Sequence, residues 1–326
     1  MIDFRTKKIL FIGIGFYDYE NVIKKYFEEH GAYVHYFISC CAFFAMRVAT
    51  RLNQKKRCLR IQHNYLEKLI EKAPVDMDYV FIIKGEGFDE DNIKLLKYKY
   101  QKAKILMYQF DSLERLSNAD LILKYFSNLY TFDRVDAAKY KLIFRPLFFR
   151  NKLKPLTEYK YDISFVGWGH SDRYELLKRL KQRFVEENIS FKFLIFTGIW
   201  SYLINRYITK IYKKEDSGMF IFKPLKYSSY VQLCEESNVI LDLSHPNQTG
   251  LTMRSIETFA FCRKLLTTNK DIVNYDMVDK SLYQVLDREN LEMDFSFFKK
   301  TLSEYNSKLD YFSIDSFIGD LFCTSK

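Results

Sequence analysis

Short hydrophobic runs alternate with longer segments of helical periodicity through the first half of the chain. The runs that predict strands cover residues 9–14, 33–38, 80–83, 105–108, 129–132 and 142–144. Segments that predict helices lie between most of them, at residues 19–29, 42–71, 91–102 and 113–126. Strands and helices in this order predict a parallel sheet covered by helices on both faces.

The same pattern starts again in the second half. Strands are predicted at residues 162–166, 191–196, 220–222, 239–243 and 264–268, and helices at 173–187, 202–214, 227–237 and 250–262. Residues 151–160 are polar, include one proline and lack periodicity, so they are predicted to link two domains. We place these domains at 1–155 and 156–326, with helices in 295–322 that pack back on the first domain.

Each half opens with a hydrophobic strand that runs into glycines, in FIGIGFYD at 11–18 and in FVGWGHSD at 165–172. Glycine allows the backbone to approach a ligand or the next helix closely. Ligands of parallel α/β sheets bind at the carboxyl ends of the strands. The sequence therefore predicts an α/β protein with two Rossmann-like domains whose parallel sheets face a central cleft, and Gly13, Gly15 and Gly167 are candidate site residues.

Residues 241–269 carry the most specific chemical pattern. A strand ends in the polar loop 244–249, a helix is predicted from Gly250, and another strand follows. Free N–H groups at a helix N-terminus attract anions, above all phosphates. Arg254 and Glu257 lie one turn apart on this helix, where they suit a diphosphate and a sugar or ribose hydroxyl. His170 and His245 lie in loops at strand ends, either as ligand contacts or as structural residues.

Composition restricts the class of protein. Of the 326 residues, 48% are hydrophobic and 28% charged, as in soluble globular proteins. Hydrophobic runs of 18 residues are absent from the sequence, and its charged start does not resemble a signal peptide. The six cysteines lack the spacing of a disulfide framework or a metal site. We therefore expect a cytoplasmic protein with reduced thiols.

The net charge of +10 suits anionic partners such as nucleotides, phospholipid surfaces or nucleic acid. A compositional bias towards Lys, Ile, Asn, Phe and Tyr explains the excess equally well. The sequence contains no RRM, KH, zinc-finger or helix-turn-helix pattern, so no nucleic acid partner is predicted. Two basic stretches, 42–60 and 205–214, either contact an anionic membrane or form solvated faces.

Four stretches resemble the GT-B glycosyltransferases, in particular the group-1-like enzymes of bacterial capsule and lipopolysaccharide synthesis. They are YQFDS at 108–112, TFDRVDAAKY with RPLFF within 131–149, YDISFVGWGHSDRY at 161–174 and LDLSHPNQTGLTMRSIETFAFCRKLLTTN at 241–269. The resemblance implies a sugar nucleotide bound mainly by the second domain, an acceptor bound mainly by the first, and no metal requirement.

Carried over by position, Gly250, Leu251 and Thr252 would present the helix N-terminus to the diphosphate, and Arg254 would add positive charge. Glu257 would match the glutamate that usually holds the ribose. Many retaining members have another glutamate eight residues earlier, where this chain has Thr249. The stereochemistry of transfer therefore stays open.

Each candidate residue also has an ordinary structural alternative. Arg254 either binds phosphate or forms a salt bridge, and Glu257 is either a ligand or a surface carboxylate. Arg173 either binds the diphosphate or is a solvated arginine of a first helical turn. Asp111 either deprotonates an acceptor hydroxyl, stabilises positive charge on the sugar, or caps a helix. Glu86 is an acceptor-side candidate of the same kind.

Two acidic patterns, DMD at 76–78 and DED at 89–91, resemble the DxD motif of metal-dependent glycosyltransferases. Acidic residues before a helix also cap it and suit its dipole. We interpret 89–91 as a helix cap and 76–78 as a turn, and predict no metal site.

The sequence therefore predicts a metal-independent glycosyltransferase that moves a sugar from a nucleotide diphosphate to a surface polysaccharide or lipopolysaccharide acceptor. Its partners would be a nucleotide sugar, a glycan or lipid-linked glycan, and the inner face of the plasma membrane through residues 42–60. The alternative is a non-catalytic GT-B protein that binds a glycan or nucleotide. The predicted donor-binding residues are Gly167, Arg173, His245, Gly250, Leu251, Thr252, Arg254 and Glu257; the acceptor-side residues are Gly13, Gly15 and Glu86; the catalytic residues are Asp111 and Arg254.

Overall fold

The chain divides into two compact units in the computed structural model, which describes residues 3–15, 18–155, 158–245, 248–300, 302 and 304–323. The first unit comprises Met1–Arg150 and Ser313–Lys326, and the second comprises Asn151–Phe312. The division falls a few residues before the predicted boundary at 155/156. The C-terminal segment belongs to the first unit.

The first unit is built on a parallel six-stranded sheet with the order β2-β1-β3-β4-β5-β6. Its strands are β1 Lys8–Gly13, β2 Tyr33–Ile38, β3 Tyr79–Ile83, β4 Lys104–Gln109, β5 Leu129–Thr131 and β6 Ile143–Phe144. All six predicted strands are present. The central strands are hydrophobic on both faces because helices cover the sheet on both sides.

The helices of the first unit differ from the prediction in three places, one of which is an additional helix, Arg134–Tyr140, that was not predicted. They are α1 Tyr19–Glu29, α2 Phe44–Arg51, α3 Lys55–Lys72, α4 Glu90–Lys99, α5 Ala119–Tyr125 and α6 Arg134–Tyr140. The predicted helix 42–71 is wrong as a single element: Asn53 adopts a left-handed φ of 53° and separates α2 from α3. The predicted helix 113–126 is a 3-10 turn, Leu113–Arg115, followed by α5.

The second unit repeats this architecture with the strand order β12-β11-β10-β7-β8-β9, again parallel throughout. Its strands are β7 Tyr161–Trp168, β8 Phe191–Phe196, β9 Phe220–Ile221, β10 Ser237–Asp242, β11 Lys264–Thr267 and β12 Tyr283–Val285. The short edge strand β12 was not predicted. The expected pair of parallel α/β sheets is confirmed.

The helices of the second unit are α7 Arg173–Glu186, α8 Ile199–Leu203, α9 Tyr227–Glu235, α10 Met253–Ala260 and α11 Ser296–Lys299. The predicted helix 202–214 is wrong, because α8 continues only as a π-helical turn, Ile204–Ile208, and Lys210 has a left-handed φ of 57°. The predicted helix 250–262 starts too early, since Thr252 is the cap residue of α10.

The last helix, α12 Ile314–Cys323, is part of the first unit. Phe322 is buried there against the rings of Phe4, Phe27 and Phe81, as edge-to-face pairs with centroid distances of 5.2–5.6 Å. Such aromatic contacts add to the free energy gained from apolar burial. The end of the chain thereby completes the core formed by its beginning. Within the described residues, every helix is too short or too polar to cross a membrane.

Candidate functional site

Three arginines gather at the carboxyl edge of the second sheet. Arg173 begins α7 directly after the glycine turn that ends β7, Arg254 lies in the first turn of α10, and Arg288 follows β12. Parallel strands end at the same edge of a sheet, so residues distant in sequence meet there. Two carboxylates, Asp172 and Asp242, pair with this group and leave it with net positive charge.

Asp242 organises the cluster. It is the last residue of β10 and is fully buried. Its carboxylate accepts hydrogen bonds from the hydroxyls of Thr252 and Ser255, both at 2.6 Å, and from the guanidinium of Arg254 at 2.7 Å. A buried carboxylate needs such partners. Asp242 therefore fixes the start of α10 against the end of β10.

Arg254 is held by this salt bridge, which is the structural alternative considered for it. Its guanidinium carbon also lies 5.4 Å from the ring centroid of Phe165. Burial lowers the pKa of Arg254, but the charge and the hydrogen bond of Asp242, together with Tyr230 and Cys234, outweigh burial and raise the pKa above its usual value. The side chain remains 20% exposed. Arg254 is thus a fixed, permanently charged group rather than a mobile one.

The three residues predicted to present the start of α10 to a diphosphate make contacts within the protein. The Leu251 N–H donates to the hydroxyl of Tyr275 at 3.4 Å, and the Thr252 hydroxyl accepts from the Ser255 N–H at 3.1 Å. The carbonyl of Gly250 accepts from the amide of Asn269 at 3.1 Å. Gly250, Leu251 and Thr252 therefore hold the loop in place, and the positive side chains near it are arginines.

Arg173 joins the end of β7 to the end of β10. Its guanidinium donates to the Leu243 carbonyl at 2.8 and 3.0 Å and to the Trp168 carbonyl at 3.2 Å. Burial, together with the positive charge of Arg254, lowers the pKa of Arg173 to about 10. Arg173 is therefore not a solvated first-turn arginine, and it is still charged at neutral pH.

One of the two loop histidines, His170, lies beside Arg173, and the other, His245, lies near His170. The Nε2 atom of His170 is 3.0 Å from an Nη atom of Arg173, and the rings of His170 and His245 have centroids 6.5 Å apart. A Cβ on Gly167 would lie 2.7 Å from the Phe165 ring and 3.5 Å from Arg173. Gly167 is therefore needed where the backbone, an aromatic ring and a guanidinium meet.

Arg288 was missed by sequence reasoning. It forms a 2.5 Å salt bridge with Asp172, and its second terminal nitrogen donates to the Ser244 carbonyl and, at 3.2 Å, to the Thr268 hydroxyl. In the sequence, the one feature that could have indicated Arg288 is its position shortly after β12, whose hydrophobic pattern is weak. Arg288 adds a third guanidinium to the edge that carries Arg173 and Arg254.

Glu257 is buried, so the alternative of an ordinary surface carboxylate is wrong. It lies on α10, and the hydroxyl of Tyr227 donates to its Oε1 at 3.1 Å. Tyr227 begins α9, which packs beside the same region of the sheet. The carboxylate is therefore oriented by a neighbouring helix.

The glycine turn of the first unit is filled by the protein itself. The carboxylate of Glu20, in the first turn of α1, accepts from the N–H of Ile14 at 2.8 Å, from the N–H of Gly15 at 3.1 Å and from the hydroxyl of Tyr36 at 2.6 Å. A Cβ on Gly13 would lie 2.0 Å from Glu20. Gly13 and Gly15 therefore form a nest for an internal carboxylate.

The acceptor-side candidate Glu86 and the catalytic candidate Asp111 both pair with one lysine. The Nζ of Lys84 lies 2.8 Å from the Glu86 carboxylate and 3.1 Å from that of Asp111. Burial lowers the pKa of Lys84, but these two carboxylates outweigh burial and raise it overall. Asp111 does not cap a helix, because Ser112 is the cap residue of the following turn and the Leu113 N–H donates a hydrogen bond to Asp136.

Lys84 stands at the start of a constrained loop. Lys84, Gly85 and Gly87 all have left-handed φ angles, of 61°, 67° and 86°. The side chain of Asn118 donates to the carbonyls of Gly85 and Phe88 at 3.0 and 2.8 Å. Unusual backbone angles that surrounding contacts enforce are frequent at functional sites. Sequence reasoning missed Lys84, although it directly follows a buried strand.

Comparisons with known proteins agree with this architecture at the level of the fold. Family models and curated protein sequences give no match. Among solved structures, a glycosyltransferase from Rickettsia africae ESF-5 is 11% identical, with a TM-score of 0.57 over 98% of this chain and 100% of that one. The apo form of the lipopolysaccharide outer core galactosyltransferase WaaB is 12% identical, with a TM-score of 0.53 over 98% and 100%.

A putative UDP-N-acetylglucosamine 2-epimerase from Listeria monocytogenes is similar to the same extent, with 8% identity and a TM-score of 0.55 over 98% of each chain. These likenesses cover both units of the chain. The chain has the GT-B fold. The predicted fold class is thus confirmed, and in a GT-B protein the arginine cluster occupies the second of the two Rossmann-like units.

Among the residues that the structure describes, no group of three or more His, Cys, Asp or Glu side chains is arranged to hold a metal ion in this GT-B protein. The DED segment contains a helix cap, as interpreted from the sequence: the Asp89 side chain accepts from the Asn92 N–H at 2.9 Å. Asp76 and Asp78 instead bind Lys8, through its ammonium and its N–H.

The Asp242–Arg254 pair generates a prediction about stability. Replacing Asp242 with Asn leaves the Arg254 charge buried without its partner, and we expect a loss of about 3 kcal/mol or more in the free energy of unfolding. Urea denaturation measures this loss. Asp276→Asn, at an exposed aspartate of the same unit, is the matched control.

Adding Arg254→Met to Asp242→Asn should recover part of the loss, because the uncompensated charge is removed while its volume is kept. Equal denaturation midpoints for Asp242→Asn and Asp276→Asn would contradict the anchoring role of Asp242.

Proposed function

We propose that this protein is a glycosyltransferase that moves a sugar from a nucleotide diphosphate to a surface polysaccharide or lipopolysaccharide acceptor without a metal ion. The observation that carries the proposal is the cluster of Arg173, Arg254 and Arg288 at the carboxyl edge of the second sheet. The glycosyltransferase structures that share the fold over nearly the whole chain support it.

The chemistry of the leaving group explains why arginines suit this site. Breaking the bond between the sugar and the diphosphate leaves negative charge on the phosphate oxygens. Guanidinium groups bind such oxygens through paired, charge-assisted hydrogen bonds. Arginines held in place by the fold stabilise this charge without having to reorganise during the reaction. Arg173 and Arg288 are anchored through main-chain carbonyls, and Arg254 is anchored through Asp242.

Glu257 is proposed to hold the ribose of the donor. A carboxylate accepts hydrogen bonds from the two ribose hydroxyls, and the Tyr227 hydroxyl at 3.1 Å fixes the orientation of this one. His245, whose ring lies near that of His170, is proposed to contact the donor from the β10 side of the same edge.

The first unit is proposed to bind the acceptor at the Lys84 loop. In a single-displacement reaction the acceptor oxygen bonds to the anomeric carbon while the bond from that carbon to the diphosphate breaks, and Asp111 takes the proton of the acceptor hydroxyl. Lys84 orients Asp111 and Glu86 through its two ion pairs. Glu86 then accepts a hydrogen bond from a second acceptor hydroxyl.

Diphosphate binding can be tested before the base and sugar are known by using inorganic pyrophosphate as the probe. We expect Arg288→Gln to weaken pyrophosphate binding by about 10- to 100-fold, since one charge-assisted contact is lost. Titration calorimetry measures the affinity. Arg183→Gln is the matched control, because Arg183 also donates to main-chain carbonyls but lies in the last turn of α7, at the opposite end of that helix from Arg173.

Equal affinities of the Arg288→Gln and Arg183→Gln proteins for pyrophosphate would count against the cluster as the diphosphate site. The melting temperatures of both variants without ligand show whether either substitution has altered the fold itself.

A nucleotide-sugar epimerase is the second candidate, because a putative UDP-N-acetylglucosamine 2-epimerase shares the fold to the same extent. A panel of UDP-, GDP-, ADP- and CDP-sugars, screened by thermal stabilisation, identifies the donor. Proton NMR of that donor with the enzyme then separates the two reactions. Slow release of the nucleoside diphosphate, accelerated by glycan acceptors, is expected for a transferase. Accumulation of an epimer would contradict transfer, and binding without any turnover would favour a non-catalytic role.

The first unit is also proposed to associate with the inner face of the plasma membrane through residues 42–60. Phe43 and Phe44 are strongly exposed there, next to six basic residues: Arg47, Arg51, Lys55, Lys56, Arg57 and Arg60. Changing both phenylalanines to serine should reduce co-sedimentation with anionic vesicles several-fold. Retention equal to that of the wild type would exclude this stretch as a membrane contact.

A further inference from the structure

The helical segment that follows β8 turns its apolar side chains outward. It consists of α8 and the π-helical turn Ile204–Ile208, and it is attached to its own unit through the ring of Tyr202, which packs on Tyr212 and Phe220. Trp200 is 77% exposed and Ile208 75% exposed. We call the exposed set the outer face: Ile199, Trp200, Ile204, Tyr207, Ile208 and Ile211.

The outer face exposes apolar side chains where an ordinary surface helix exposes polar ones. Trp200, Ile204 and Ile208 are spaced four residues apart, so they lie on one side of the helical segment. In a soluble protein such a stripe normally faces the core. Contiguous exposed apolar surface of this kind marks an interaction site. A π-helical turn inside a helix is also frequent at functional sites.

Charge indicates the kind of partner. Between residues 199 and 214 the sequence has four basic residues and no acidic one. They are Arg206, Lys210, Lys213 and Lys214. Two acids, Glu215 and Asp216, follow this segment, and Asp216 is buried and paired with Lys181 at 2.7 Å. The segment therefore favours a partner with negative charge at its surface.

The apolar residues distinguish between anionic partners. Isoleucine gains free energy only in an apolar phase, which a nucleic acid backbone does not provide, whereas an anionic bilayer offers phosphates above an acyl layer. Tryptophan and tyrosine favour the level of the lipid headgroups. The combination of isoleucines, aromatic rings and lysines matches the interface of a bilayer.

We propose that the outer face inserts into the surface of an anionic membrane, with the isoleucines among the upper acyl chains and the lysines at the phosphates. Because α8 leaves the carboxyl end of β8, next to β7, docking would bring the sheet edge that carries Arg173 close to the lipid. This inference concerns binding alone and stands apart from the proposed transfer reaction.

The two tryptophans of the chain provide a direct reporter. Trp168 lies outside the outer face, so Trp168→Phe leaves Trp200 as the single fluorophore. With vesicles of phosphatidylcholine and phosphatidylglycerol, we expect the Trp200 emission to shift to the blue and to be quenched by bromine-labelled acyl chains. Vesicles of phosphatidylcholine alone should have a much smaller effect, and salt should weaken the binding.

Variants of the outer face extend this test. Ile204→Ser with Ile208→Ser should lower the partition coefficient for anionic vesicles at least about tenfold, because two apolar side chains no longer insert. Val185→Ser with Val273→Ser, at exposed valines elsewhere in the same unit, is the matched control and should leave it unchanged. Lys210→Glu with Lys213→Glu should abolish the preference for anionic lipid.

Two results would overturn the inference. One is a Trp200 spectrum that does not change while the protein still sediments with anionic vesicles, since other residues would then make the contact. The other is a dimer in analytical ultracentrifugation that Ile204→Ser with Ile208→Ser dissociates while lipid binding is unaffected, since the outer face would then join two copies of the chain. Neither assay contains a sugar nucleotide, so neither result bears on the transfer reaction.

Discussion

The buried carboxylate of Asp242 is the interaction on which the candidate site depends. Asp242 is the last residue of the central strand β10, and its charge balances that of Arg254. Its carboxylate also accepts hydrogen bonds from the hydroxyls of Thr252 and Ser255 at the start of α10. A buried charge of this kind is stable only with all its partners in place. Asp242 therefore fixes three features together: the start of α10, the position of Arg254 and the end of β10. The guanidinium of Arg288 reaches the same edge of the sheet through contacts with Ser244 and Thr268, which lie just after β10 and β11.

The two units use the same strand–glycine–helix beginning in opposite ways. In the first unit the carboxylate of Glu20 occupies the N–H groups of the glycine turn. In the second unit an arginine, Arg173, starts the helix at the corresponding position and bridges to the neighbouring strand. An internal anion fills one turn, and a fixed cation stands at the other. This difference is why the proposed function places the anionic donor on the second unit and the acceptor at the Lys84 loop of the first.

Much of the fold follows from sequence pattern, for a physical reason. Strands buried on both faces must be hydrophobic throughout, so runs such as those of β1 and β10 are visible without a structure. β12 is different: its three residues are only half-buried and sit at the edge of the sheet, so the pattern is too weak to detect. The break at Asn53 depends on a single left-handed residue within a segment whose composition suits a helix on both sides.

The site was predictable only in part, because its decisive contacts are tertiary. The sequence placed Arg173 and Arg254 near strand ends, where parallel sheets bind ligands. It carried no sign that Arg288, distant along the chain, would pair with Asp172, or that Glu20 would close the turn at Gly13 and Gly15. Asp242 was visible as an acid ending an apolar strand. Its role becomes apparent only when the hydroxyls of the following helix are seen to converge on it.

The most direct measurement is a crystal structure of the protein with a nucleoside diphosphate, chosen as whichever of UDP, GDP, ADP or CDP stabilises the protein most. The account predicts diphosphate oxygens within hydrogen-bonding distance of at least two of the guanidinium groups of Arg173, Arg254 and Arg288. A diphosphate bound away from all three arginines would contradict it.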